Sequence, residues 1–115
     1  MHRDLKLENI LLGKDGYLRI SDFGLSKIMK DLEHTMTKNI GTAVYMAPEM
    51  QDRSYTKDID WWSVGIIAYE LLVGNPPFGG NDRQLRKSIK NDPISWEGVN
   101  CSSEFKDLIE KLLKK

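Results

Sequence analysis

The chain has 115 residues, enough for one modest domain, and 40% of them are hydrophobic, which argues against wholesale disorder. Seventeen Lys and Arg balance seventeen Asp and Glu, so overall charge gives no case for nucleic acid or an anionic membrane as the main partner. The single cysteine, Cys101, has no internal disulfide partner and fits a reducing, intracellular compartment.

The first residues read as no signal peptide, because charges begin at once and no apolar h-region follows. Ile10-Leu11-Leu12 is a short apolar β run, Gly13-Lys14-Asp15-Gly16 is a turn signal, and Tyr17-Leu18-Arg19-Ile20 alternates like a returning strand. Together they predict a small hairpin with a four-residue loop. From Asp22 to Glu49 polar residues dominate without periodicity, and a loop that long is usually functional or disordered. Tyr55 to Val73 predicts a helix with Thr56 as a possible N-cap and Gly74 as its stop. Its apolar residues point almost all round, which predicts a buried central helix. The run Ile59 to Val73 is too short to span a bilayer and carries Asp60, Ser63 and Glu70. Asn75-Pro76-Pro77 breaks it. Asp82 to Lys90 predicts an amphipathic helix with Leu85 and Ile89 four apart. A third helix follows, capped by Ser102 or Ser103 and ending in Lys114 and Lys115, with Phe105, Leu108, Ile109, Leu112 and Leu113 at helical spacing. Asn100-Cys101-Ser102 fits a glycosylation acceptor, but nothing else points to secretion.

Three motifs stand in order along this frame. His2-Arg3-Asp4-Leu5-Lys6-Leu7-Glu8-Asn9 matches H-R-D-L-x-x-x-N, Asp22-Phe23-Gly24 matches D-F-G, and Ala47-Pro48-Glu49 matches A-P-E. The sequence therefore resembles the eukaryotic protein kinase family over its whole length. The resemblance implies a mainly α fold, a fragment of the large C-terminal lobe with a small β-hairpin, a long activation loop and a buried central helix. It implies ATP and Mg²⁺ as cofactors and a protein hydroxyl as acceptor. Asp4 would orient the hydroxyl and take its proton, and Lys6 would offer a cation to the γ-phosphoryl group. Asn9 and Asp22 would offer hard oxygens to Mg²⁺, which keeps some of its waters. His2 would pack near Phe23 and Gly24 rather than act as a base, and His34 would be a solvated loop residue.

Lys6 after Asp4-Leu5, with Gly41-Thr42, resembles the Ser/Thr branch, where Thr42 would bond between Asp4 and Lys6 and line the substrate pocket. Arg3 would bind a phosphate on the long loop, with Thr37 first and Thr35 second as its acceptor. Asp60-Trp61-Trp62-Ser63-Val64-Gly65 resembles the segment whose Asp bonds catalytic-loop amides. Glu8 and Glu70 match positions that contact an Arg before the phosphoacceptor, which implies a preference for basic peptides.

No G-x-G-x-x-G loop and no V-A-I-K lysine occur in the sequence. The expectation is a partial protein kinase domain over residues 1–115 that belongs with a nucleotide-binding lobe missing from it, and that is inactive alone. Glu49 has its family position without its usual Arg. The competing expectation is a truncated or pseudokinase-like scaffold module, which loss of Asp4 or Asp22 would have favoured.

Overall fold

The run richest in large apolar side chains becomes the longest helix, α1, over Ile59–Val73. The structure, a computed structural model, describes residues 1–28, 42–51 and 55–115. Thr35, Thr37 and His34 lie outside the described residues. Gly74 ends α1 as expected, at φ 85° with its N–H donating to the Glu70 carbonyl at 2.8 Å, a backbone state that suits glycine. The start differs from the sequence expectation, which began the helix at Tyr55. Thr56 is not its N-cap: its hydroxyl donates to Asp58 Oδ2 at 2.8 Å and accepts the Asp58 N–H at 3.3 Å. These local bonds hold a turn in place of the first helical residues.

α1 is central, but it is not buried on every side. Ile59, Trp62, Ile66, Ile67 and Tyr69 are buried, while Trp61, Leu71 and Leu72 are exposed. These three apolar residues meet solvent because the described neighbours cover only part of the circumference. The main neighbour is α3, Ser103–Leu112. Gly65 permits its approach: a Cβ there would lie 2.8 Å from Leu113 Cδ2 and 3.0 Å from Leu112 Cβ. Ile109 and Leu113 are buried against this seam, whereas Leu108 faces solvent. Ser102 is the α3 N-cap, accepting the Phe105 N–H at 3.1 Å. The helix closes at Leu112, so Lys114 and Lys115 lie just beyond it rather than within it.

Between them in the sequence lies α2, Asp82–Asn91, one residue longer than expected. Its start is a capping box in which Asn81 accepts the Gln84 N–H at 3.0 Å and Gln84 accepts the Asn81 N–H at 3.1 Å. Leu85 and Ile89 are the buried side of α2. Phe78 completes the core from the loop before it, stacked on Trp62 with ring centroids 6.1 Å apart.

The hairpin pairs β1, Ile10–Leu12, antiparallel with β2, Leu18–Ile20, in the register Ile10 to Ile20. Its connection is five residues rather than four. Gly13 donates to the Tyr17 carbonyl at 2.8 Å, and Tyr17 falls outside the strand. Both strands are largely exposed, and an open groove of about 410 Å³ lies between them and α1, lined by Leu5, Ile10, Leu18, Val64 and Leu71 among others. The polar stretch after Asp22 is not wholly irregular, since Ala43–Tyr45 and Pro48–Gln51 form single 3₁₀ turns. The described residues are thus mainly helical around one central helix, with one two-stranded hairpin. Among them, no helix is long and apolar enough to cross a membrane.

Candidate functional site

The loop from His2 to Asn9 hangs from α1 by one side chain. Asp60 Oδ2 accepts the His2 N–H at 2.6 Å and Oδ1 accepts the Arg3 N–H at 3.0 Å. A carboxylate in so apolar a helix needs such donors, and two amides supply them. The anchoring coincides with strained backbone, for Arg3 has φ 73°. A left-handed Arg is uncommon and holds only where its surroundings enforce it. His2 is buried, with Nδ1 accepting the Asp4 N–H at 3.3 Å and Nε2 facing the Ser21 carbonyl at 3.0 Å. A proton on Nε2 satisfies both bonds. Its ring meets Phe23 edge-on, with centroids 4.9 Å apart.

The loop turns Asp4 toward Lys6 and Thr42. Asp4 Oδ1 accepts both the Thr42 N–H at 2.9 Å and the Thr42 hydroxyl at 3.0 Å. Lys6 Nζ lies 3.1 Å from Asp4 Oδ2 and donates to Thr42 Oγ1 at 3.2 Å. The three side chains form a closed polar knot across 38 residues of sequence. Burial by itself would raise the Asp4 carboxyl, but the bonds from Lys6 and Thr42 outweigh it and hold the carboxyl below its usual range. The same contact with Asp4 raises the Lys6 ammonium. Asp4 is therefore a charged carboxylate near neutral pH, with Oδ1 doubly bonded.

Asn9 is buried, and its Nδ2 donates to the Asp4 carbonyl at 2.9 Å. That leaves Oδ1 as the atom of this amide suited to a cation. The hairpin ties the neighbour of Asp22 to the same spot, because Ser21 donates its N–H to the Asn9 carbonyl at 2.9 Å and its hydroxyl at 3.2 Å. Asp22 itself is exposed, at φ 58°, a conformation Asp tolerates better than most residues. Its Oδ1 accepts the Gly24 N–H at 3.3 Å. An amide oxygen and a carboxylate at one end of a hairpin are a hard-oxygen donor set. That set suits Mg²⁺, which takes few protein ligands and completes its shell with water and phosphate oxygens. No group of three or more His, Cys, Asp or Glu able to hold a metal occurs among the described residues.

Of the remaining expected site residues, Glu8 and Glu70 both act on the Tyr45 hydroxyl. Glu70, on α1, accepts the Tyr45 hydroxyl at 2.7 Å, while Glu8 is exposed. Glu49 sits in the 3₁₀ turn that begins at Pro48. The Arg3 side chain is partly used, its Nε donating to the Leu25 carbonyl. Thr35 and Thr37, expected to face Arg3, are outside the described residues.

Two residues at this site were not anticipated. Tyr45 is buried, and burial first, then its bond to Glu70, pushes its hydroxyl well above the ordinary value. Ser63, buried on α1, donates to the Tyr45 carbonyl at 2.9 Å and so joins the helix to the turn after Thr42. A serine four residues after Ile59 on an apolar helix was the one available signal, since a buried hydroxyl there needs an acceptor.

The family model for the protein kinase domain matches residues 1–115. The chain is 43% identical over 117 residues to a Drosophila melanogaster protein named putative protein kinase C delta type homolog, covering 100% of this chain and 17% of that protein. It is 43% identical to the Drosophila cAMP-dependent protein kinase catalytic subunit 3, covering 98% of this chain and 19% of that one. It is 44% identical to the Arabidopsis thaliana serine/threonine-protein kinase AtPK2/AtPK19, covering 100% and 24%. The chain thus spans between a sixth and a quarter of the length of these relatives.

Proposed function

The chain belongs to the protein kinase family, and we propose that it supplies the catalytic loop and metal ligands with which a Ser/Thr kinase transfers the ATP γ-phosphate to a protein hydroxyl. The observation that carries this reading is the knot of Asp4, Lys6 and Thr42 held on the Asp60-anchored loop. Asp4 Oδ1 is spent on Thr42, so Oδ2 is the atom that accepts the acceptor hydroxyl's hydrogen bond and then its proton. Lys6, beside Oδ2, keeps that carboxylate charged and places a cation where negative charge gathers on the transferred group. Thr42 fixes the pair and lines the substrate side of the site. Asn9 Oδ1 and Asp22 would hold Mg²⁺, which when bound neutralises phosphate charge. His2, Phe23, Gly24, Glu49 and Asp60 support the loops rather than touch the substrates.

The nucleotide-binding motifs are not among these 115 residues, and the reading is of a partial kinase domain that works with a nucleotide-binding lobe. The half-buried lone thiol of Cys101 is compatible with an intracellular setting. Arg3 would receive the phosphate of modified Thr37, or of Thr35. Glu8 and Glu70 would favour a basic residue before the phosphoacceptor. Glu70 offers Oε1 for that contact, since Oε2 accepts from Tyr45.

The test joins these residues to a nucleotide-binding lobe and measures transfer from radiolabelled ATP to Ser, Thr and Tyr peptides. Label on Ser and Thr peptides is expected, with none from the Asp4→Asn protein and background only from the 115-residue chain alone. A folded fusion that binds ATP yet labels no peptide would instead favour a scaffold. A peptide array without enrichment of Arg before the acceptor would remove the role given to Glu8 and Glu70.

A further inference from the structure

Helix α2 carries a face that the catalytic reading does not use. Arg83, Arg86, Lys87 and Lys90 recur at the i, i+3, i+4, i+7 spacing of one helical stripe, and all four are exposed. Leu85 and Ile89, on another side of α2, anchor it in the core. Two exposed cations elsewhere meet acids four residues away: Arg19 pairs with Asp15 at 2.6 Å and Lys111 with Asp107 at 2.6 Å. On α2 no such pairing exists for Arg83, Arg86 or Lys87 among the described residues. Lys90 continues the stripe and has an interaction of its own. Like charges at i,i+3 and i,i+4 repel, so this arrangement works against the helix that bears it. That cost stands out in a chain whose total charge is zero. Acids flank the stripe at Asp82 and Asp92 but do not interrupt it. Lys115 donates to the Ser88 and Asp92 carbonyls, which adds a further cation near the end of the helix.

We infer that this stripe is a docking surface for an acidic segment of a partner protein. Charge complementarity sets the chemistry: three uncompensated cations lie within about 6 Å along the axis, and an extended chain advances about 3.3 Å per residue. Two or three successive carboxylates therefore match them. A membrane surface fits less well, because the apolar residues of α2 are turned into the core and none is left to enter a bilayer. Single-stranded nucleic acid fits less well too, because the stripe has no aromatic residue for bases to stack on. None of Arg83, Arg86 and Lys87 shares a bond with Asp4, Lys6 or Asp22 among the described residues, so the inference stands whether or not the chain takes part in catalysis.

The test is fluorescence anisotropy of the whole protein with a labelled peptide of alternating glutamate and glycine, beside phosphatidylserine vesicles and a labelled single-stranded oligonucleotide. The peptide should bind in a salt-sensitive manner, and Arg86→Glu with Lys87→Glu should weaken it by about tenfold or more. Lys106→Glu with Lys111→Glu on α3 should change it less than about twofold. Should the reversal on α2 disturb folding by circular dichroism, Arg86→Gln with Lys87→Gln serves in its place and should give a smaller loss in the same direction. Absence of peptide binding, or equal loss from the α2 and α3 variants, overturns the proposal. So does tighter, α2-dependent binding of the vesicles or the oligonucleotide than of the peptide.

Discussion

Asp4 and Asp22 are both carboxylates at one site, yet they are held in opposite ways. Asp4 is nearly buried, bonded to a residue 38 positions away, on a loop pinned by Asp60 from the central helix. Asp22 is exposed, with a hydrogen bond among the described residues only to Gly24 two residues on and with its neighbour Ser21 tied to the hairpin. The group proposed to handle a proton is fixed by the core, while the group proposed to hold a metal is fixed by a local turn. The difference follows from the work required. A proton acceptor must lie within a few tenths of an ångström of its target. A carboxylate that binds Mg²⁺ gains part of its order from the ion.

The largest effect expected on this contrast comes from Asp4→Asn in an active protein containing the segment. It keeps the shape, removes the base, and should lower kcat by about a thousandfold or more, or roughly 4 kcal/mol in the barrier. Steady-state kinetics with a Ser peptide would check it. Next, Asp60→Ala leaves the His2 and Arg3 amides without their charged acceptor and should cost about 3 kcal/mol of stability, read by urea unfolding. Asp60→Asn should cost less, because it keeps one acceptor oxygen. A smaller effect is pH-dependent. The Asp4 carboxyl lies below its ordinary value in the folded state, so its contribution is fully present above about pH 4 and is lost as pH falls through the depressed value. Stability followed against pH should show that acid limb, and Asp4→Asn should flatten it. The smallest effect on stability is on the other arm. Asp22→Ala should change stability by no more than about 0.5 kcal/mol while removing Mg²⁺-dependent activity. A loss of stability at Asp22 as large as that at Asp60 would erase the contrast.

Part of this site was legible before any coordinates. The motif around Asp4, Lys6 and Asn9 was readable because all of it falls within eight residues, and the hairpin because glycine turn chemistry is local. The Thr42 contact and the Asp60 anchor were reachable only through family resemblance, since neither follows from periodicity or spacing. Tyr45 and Ser63 escaped both routes. A buried tyrosine bonded to Glu70 has no local signature, and a hydroxyl on an apolar helix signals only that Ser63 needs an acceptor, not that it reaches a carbonyl 18 residues away.

The sequence by itself determined the three helices, a cap at Ser102 or Ser103, the stop at Gly74, the buried stripe of Leu85 and Ile89, and the order of the motifs. These depend on interactions within about four residues, which composition and spacing encode directly. Only the tertiary structure decided where α1 begins, which of its apolar residues meet solvent, and how Asp4, Thr42 and Lys6 close on one another. Those outcomes depend on which surfaces pack together. Apolar periodicity says that a face will seek cover, but the approach of α3 at Gly65, and the absence of described neighbours over Trp61 and Leu71, settle how much it finds.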